Sequence, residues 1–224
     1  MSDEPSLDVA GIGKAAKAIP AKAWVQLVDT ACVTFRQVIA PLTALTSGTG
    51  RLIEAKFDRL VDAEKVLVSE VLANAAKKVK ASGRPIAESP KARVVVAVIE
   101  NSASETDPLL RELWANLMAQ EITTGQVHPE FPHLLGRLSA EDAQVLAGVA
   151  QYQSSKNVRL VKTVNDLLSA FKIVGLSLKF REGQTYAHEH LVNLGLIRFD
   201  RGAWELTLMG EAFLKAVGGE LGGV

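Results

Sequence analysis

A glycine motif near the start of the chain has the spacing of a dinucleotide-binding loop. Gly11, Gly13 and Ala16 fit the pattern G-x-G-x-x-[GA], whose small residues let the backbone approach a pyrophosphate. This pattern indicates nucleotide binding only when a strand precedes it and a helix follows it within a βαβ unit. The preceding letters, SLDVA, are not typical of a strand, and no βαβ unit follows. We therefore interpret residues 1–20 as a flexible N-terminal segment and expect no cofactor and no small-molecule substrate.

The residue types that perform metal, acid–base or nucleophile chemistry are few and poorly spaced. His188 and His190 lie two apart on a predicted helix, about 200° around its axis, so they do not point toward one metal ion. Cys32 is the single cysteine and lies in an apolar helical stretch, where a thiol is a small and unreactive hydrophobic group. We therefore predict no catalytic residue and no metal ligand, and a protein that is not an enzyme.

Basic residues are concentrated between residues 77 and 93. This stretch has Glu88 as its one acidic residue and six cations, namely Lys77, Lys78, Lys80, Arg84, Lys91 and Arg93. Such a cluster can bind the phosphates of nucleic acid or lipid. We interpret it first as a solvated helix end and loop. The six residues, together with Arg201, remain candidate contacts for nucleic acid or another anion.

The composition is that of an ordinary globular protein. The 224 residues are 48% hydrophobic and 22% charged, and 25 Lys and Arg balance 25 Asp and Glu. The chain can therefore bury a sizeable core, and it has no net charge that would attract nucleic acid or an anionic membrane. The single cysteine excludes an internal disulfide framework.

The most apolar stretch, residues 24–45, predicts a buried or half-buried helix and not a membrane span. Asp29 and Arg36 interrupt it, and charges placed in hydrocarbon are costly. The acidic N-terminus also lacks the basic and apolar regions of a secretory signal peptide. We therefore expect a cytoplasmic protein.

Apolar residues spaced three and four apart predict a chain made mainly of helices. The first helix is expected over residues 21–46, where Pro41 kinks or ends it. Gly48 and Gly50 follow as a predicted hinge. Residues 51–80 contain neither glycine nor proline and predict one unbroken amphipathic helix.

The middle of the chain carries clear helix-start signals. The valine-rich segment 91–100 has strand propensity, but its helical flanks favour a helix. Asp107 is typical of an N-cap, and Pro108 suits the first helical position after it. Ser139 and Asp142 have the spacing of a capping box at the start of a further helix.

The C-terminal part has the order of elements found in winged-helix modules. Helices are predicted over 157–171 and 184–194, followed by two short strands around a turn at 200–202 and by a last helix. In such a module the segment 184–194 would be the recognition helix, and Arg201 would lie at the wing tip. The segment 184–194 contains neither lysine nor arginine. DNA binding is therefore the alternative, and contact with protein is the favoured use.

Two central segments carry a resemblance to a known family. They are LRELWANLMAQ from Leu110 and VHPEFPHLLGRLSAEDAQVL from Val127, and the later segments LVNLGLI and LTLMGEAFL are similar too. The chain resembles the Abi-alpha (abortive infection alpha) family of bacterial proteins over roughly residues 40–217, with Met118 where leucine is usual. The resemblance implies defence against phage, in which the infected cell stops growing or dies before progeny are released.

The resemblance supplies no catalytic residue. Within the first segment, Trp114 is expected to be a core anchor, because an indole buries a large area. Asn116 is expected to satisfy a buried backbone group or to contact a partner.

Together these observations predict a mainly α-helical fold. Long amphipathic helices and a central helical bundle are expected over residues 21–153, and a winged-helix-like module with a small β-hairpin over residues 154–224. The favoured function is non-enzymatic anti-phage defence through contacts with a protein partner or a second copy of the chain. A winged-helix DNA-binding regulator of a prophage or defence locus is the alternative. A membrane-perturbing effector that uses residues 21–80 is the third class.

Overall fold

The computed structural model describes residues 20–43, 47–154, 185–200 and 202–218, which form helices and one β-hairpin. In chain order the elements are α1 (Ala21–Thr43), α2 (Ser47–Asp58), α3 (Asp62–Ser82), α4 (Ala92–Ser102), α5 (Pro108–Thr124), α6 (Phe131–Leu135), α7 (Ala140–Ser154), α8 (Tyr186–Asn193), β1 (Ile197–Asp200), β2 (Ala203–Leu206) and α9 (Leu208–Val217). The strands are antiparallel, with Ile197 opposite Leu206. The prediction of a mainly helical fold with a small C-terminal hairpin is confirmed.

The first three helices form the N-terminal part of the core. α1 packs along α3, and α2 contacts both α1 and α4. The rings of Phe35 and Phe57 stack with their centroids 3.8 Å apart and join α1 to α2. α1 ends at Thr43, just past Pro41. Among the described helices, none combines the length and the apolar character needed to cross a bilayer.

The predicted single helix over residues 51–80 is wrong, because the chain breaks between α2 and α3. Val61 has an extended backbone (φ −71°, ψ 161°), and its N–H donates to Glu64 Oε2 at 3.0 Å. This side-chain cap starts α3 and places Asp62 and Glu64 in the first turn, where the helix dipole favours acids. The break is therefore marked by a polar residue three positions away, Glu64, and not by any interruption of the apolar pattern.

The predicted hinge at Gly48 and Gly50 is also wrong, since both glycines lie in the first turn of α2. Glycine disfavours a helix interior by only about 1 kcal/mol relative to alanine, so packing can override it. α2 is held against α4 by such packing and by an ion pair between Lys56 and Glu100.

α4 and α5 form the middle of the core. Every residue from Val94 to Ile99 is buried, so α4 is surrounded by protein, and packing overrides the strand propensity of its valines. The predicted start of α5 is confirmed, because Asp107 Oδ1 accepts hydrogen bonds from the N–H groups of Leu109 (2.8 Å) and Leu110 (3.1 Å). α5 ends at Thr124 and is capped by Gly125, whose φ of 61° lies in the left-handed region that favours glycine.

The C-terminal elements share this core. Phe213 of α9 packs edge-to-face on Phe131 of α6 with the ring centroids 5.6 Å apart, while α8 and β2 contact α7. The described residues thus contain the helix–hairpin–helix order of the predicted module. The predicted helix at 157–171 lies outside the described residues, so the winged-helix assignment and the domain division at 154 stay predictions.

Candidate interaction surface

Two of the candidate basic residues contact distant parts of the chain. Lys78 forms a 2.5 Å ion pair with Glu112 and so ties α3 to α5. Lys91 Nζ donates to the carbonyl oxygens of Gly125 (2.5 Å) and Val127 (3.1 Å). These two cations therefore stabilise the fold in the structure, a use that the cluster of charges along the sequence did not indicate.

The other described members of the basic cluster lie at the end of α3, in the following loop and at the start of α4. Lys77, Lys80 and Arg93 are exposed, and Arg84 is half-buried. Lys77 Nζ contacts Asn74 Oδ1 at 3.5 Å. Arg201 lies outside the described residues. An anion-binding role for these residues therefore stays a prediction.

A buried carboxylate joins α7 to α8. Asp142 Oδ2 accepts hydrogen bonds from the N–H and the hydroxyl of Ser139, both at 2.8 Å, and lies 3.0 Å from His190 Nδ1. The predicted capping box is thereby confirmed, whereas the histidine contact spans 48 positions of the chain and was not predicted. Because the Ser139 hydroxyl donates to the carboxylate and not to the imidazole, this is not the arrangement that activates a serine nucleophile.

The second histidine of α8 is buried beneath the hairpin. His188 Nδ1 lies 3.0 Å from Thr185 Oγ1, and the imidazole packs against the Trp204 ring at a centroid distance of 4.8 Å. Burial lowers the pKa of His188 below its ordinary value of 6.5, because desolvation disfavours the charged form. His188 is therefore a neutral packing residue at neutral pH.

We expect the Asp142–His190 contact to hold α8 against α7. Asp142→Ala would leave the Ser139 N–H and His190 Nδ1 without their acceptor, so we expect it to lower the free energy of unfolding by about 1 to 3 kcal/mol. His190→Ala should lower the free energy of unfolding by a smaller amount. The loss in the double variant should differ from the sum of the two single losses by about 0.5 to 1.5 kcal/mol. Urea unfolding of the four proteins measures this difference. Strictly additive losses would show that the contact contributes nothing.

The most exposed large apolar side chain that the structure describes lies at the start of α9. Leu208 is 87% exposed, and the adjacent Met209 is 38% exposed. Both line a groove of about 510 Å³ between α9 and the segment that connects α5 to α6. Val127, Phe131 and Ala216 are the buried apolar residues of its floor.

A second groove adjoins the same two residues on the other side. It has a volume of about 450 Å³ and a more polar lining that includes Gln153, Arg198 and Glu211. Leu208 and Met209 thus form an apolar ridge between two grooves. We call this ridge and the two grooves the α9 surface.

The hairpin sets the direction in which the ridge points. Thr207 Oγ1 accepts from the Gly210 N–H at 3.0 Å and donates to the Gly195 carbonyl at 2.5 Å, which caps α9 and ties it to the residues before β1. Gly210 packs directly on the backbone of Leu196, where a Cβ atom would lie only 2.0 Å from the carbonyl oxygen. Leu208, at the first position of α9, is therefore held away from the core.

Residues 64–217, from α3 to the end of α9, match a family model described as abortive infection alpha. The chain belongs to the abortive infection alpha family. The match contains both central segments that carried the resemblance, while α1 and α2 precede it. No curated protein and no solved structure matches the chain. Membership associates the chain with abortive infection, a form of defence against phage.

The residues of the central motif serve the core of this abortive infection alpha protein. Trp114 is fully buried, as its expected role as an anchor requires. The Asn116 side-chain amide donates to the carbonyl oxygen of Val217 at 2.7 Å, which confirms that it satisfies a buried backbone group and fixes the end of α9 to α5. The α9 surface also lies within the matched segment, but sequence reasoning missed it. The one signal for it was an apolar residue, Leu208, directly after the Thr207 cap.

Proposed function

We propose that the chain protects bacteria against phage by abortive infection and acts in the cytoplasm by binding another macromolecule through the α9 surface, without catalysis. The observation that carries this proposal is the high exposure of Leu208 beside an apolar groove, within the segment that matches the family. An apolar patch with a polar rim is typical of protein interaction sites. The engagement of Ser139 and Asp142 in helix capping also supports a role that does not depend on a reactive side chain.

DNA binding by the C-terminal part has less support. Residues 154–224 contain nine Lys and Arg against seven Asp and Glu, a balance of only +2, and the predicted recognition helix 184–194 has neither lysine nor arginine. Arg198 is also 3.4 Å from the Glu205 carboxylate. Because affinity for DNA depends largely on cations that contact phosphates, this balance favours a protein partner.

A phage challenge of a bacterial host that expresses the chain tests the proposal. We expect survival of the culture at low phage multiplicity and collapse at high multiplicity, as abortive infection requires. Leu208→Asp should abolish protection, because it places a charge on the apolar ridge without entering the core. Val25→Asp on α1 is the matched control, since Val25 is 57% exposed and lies far along the chain from the α9 surface. It should protect as the wild type does.

Three results would contradict the proposal. Equal survival with and without the chain across several phages would remove the defensive role. Full protection by Leu208→Asp would remove the α9 surface as the binding site. DNA binding by the full chain that falls steeply with salt would favour the alternative of a DNA-binding regulator.

A further inference from the structure

One face of α9 is complementary to itself. Residues at positions i, i+3, i+4 and i+7 lie along one side of a helix. In α9 these positions are occupied by Leu208, Glu211, Ala212 and Lys215. Leu208, Ala212 and Lys215 are exposed, and Glu211 is half-buried. From its N-terminal to its C-terminal end, this face therefore presents an apolar side chain, a negative charge, a small side chain and a positive charge.

We infer that this face pairs antiparallel with the same face of a second copy, so that the protein is a twofold-symmetric dimer. The inference rests on the proposed function, because it names the partner that the α9 surface binds. In a twofold interface each contact between the copies occurs twice. Every favourable pair of residues on a self-complementary face therefore stabilises the dimer twice.

The charges on this face match when one copy is rotated onto the other. With the twofold axis near Ala212, Glu211 of each copy comes within one turn of Lys215 of the other. Among the described residues Lys215 forms no ion pair, and Glu211 has a 3.4 Å hydrogen bond from Gln153. Both charges are therefore available for pairing across the axis.

The shape of the surface matches as well. Leu208 lies four residues from Ala212, about 6 Å along the helix, so an antiparallel copy brings it to the level of Ala216. Ala216 lines the 510 Å³ groove, whose apolar floor can accept a leucine side chain. The small side chain of Ala212 at the crossing lets the two helices approach closely.

Sedimentation of the full chain over a range of concentrations tests the pairing. We expect the wild type to form dimers. Leu208→Asp should weaken the dimer at least about a hundredfold, since the burial of one leucine is lost in each copy and a charge replaces it. Val25→Asp should leave the dimer unchanged, because α1 takes no part in the contact.

A charge exchange tests the antiparallel arrangement. Lys215→Glu makes the face negative and Glu211→Lys makes it positive, so each variant alone should be monomeric through like-charge repulsion. An equimolar mixture of the two should recover dimers that contain one chain of each kind. Lys80→Glu, a charge reversal at an exposed site on α3, is the control and should dimerise as the wild type does.

Each outcome decides between the inference and the function on which it rests. A wild type that stays monomeric at every concentration, or a mixture that recovers no dimer, overturns the pairing. If such a monomer still loses phage protection on Leu208→Asp, the α9 surface binds a different partner and the proposed function stands. If the dimer behaves as expected and Leu208→Asp still protects, the pairing stands and the proposed function fails.

Discussion

Gly210→Ala is expected to destabilise the protein by about 3 kcal/mol or more, because it forces α9 away from the hairpin. The added Cβ atom would lie 2.0 Å from the backbone oxygen of Leu196. That oxygen also accepts the Thr207 N–H at 3.0 Å, so it cannot move without breaking the bond that ties the residue capping α9 to Leu196. Urea unfolding followed by circular dichroism measures the loss.

Gly136→Ala is the matched control for this change. A Cβ atom at Gly136 would lie 3.0 Å from Asn101 Oδ1, which is part of a side chain that can rotate, and Gly136 has an ordinary φ of −65°. We therefore expect Gly136→Ala to change the free energy of unfolding by no more than about 1 kcal/mol. Equal losses from the two alanine variants would mean that the close approach of Gly210 to Leu196 does not hold α9 in place.

Glu121→Ala is expected to have an effect of similar size, about 3 kcal/mol or more. Glu121 is fully buried near the end of α5, and its carboxylate accepts hydrogen bonds from the backbone N–H groups of Lys91 and Val127, the latter at 3.0 Å. Alanine would leave both donors buried without an acceptor and would create a cavity. The start of α4 and the loop after α5 should therefore lose protection from hydrogen exchange first. Uniform loss of protection across the chain would contradict this local role.

The charge of Glu121 also makes its contribution to stability depend on pH. Burial raises the pKa of Glu121 above its ordinary value of 4.5, because desolvation disfavours the carboxylate. The folded chain thus holds this proton more tightly than the unfolded chain, so the contribution is greatest below pH 4.5 and falls as the pH rises through the folded pKa. The difference in unfolding free energy between wild type and Glu121→Gln should fall over that range. Parallel pH profiles would show that Glu121 titrates alike in both states.

The sequence alone predicted those features of the fold that depend on neighbouring residues. The cap at Asp107 and the capping box at Ser139 both rest on hydrogen bonds within a few residues. The family was also recognisable, because the central motif is a contiguous segment around Trp114. Such signals survive in a sequence because no distant part of the chain is needed to produce them.

Features that depend on distant contacts were predicted poorly. The apolar pattern over residues 51–80 indicated one helix, whereas two separate helices form, α2 packed on α4 and α3 packed on α1 and α5. The basic cluster was interpreted first as a solvated helix end and loop, but Lys78 and Lys91 have partners 34 or more positions away. In each case the sequence gives the type of a side chain but not the group that it contacts in the folded protein.

The α9 surface shows this division most clearly. The sequence by itself determined the family, the mainly helical class and the presence of a last helix, because those follow from local pattern and motif. Only the tertiary structure decided that Leu208 faces solvent, since the contact of Gly210 with Leu196 and the bond from Asn116 to Val217 set the rotation of α9. The physical reason is that exposure depends on what packs against each face of a helix, and most of those neighbours come from remote segments of the chain.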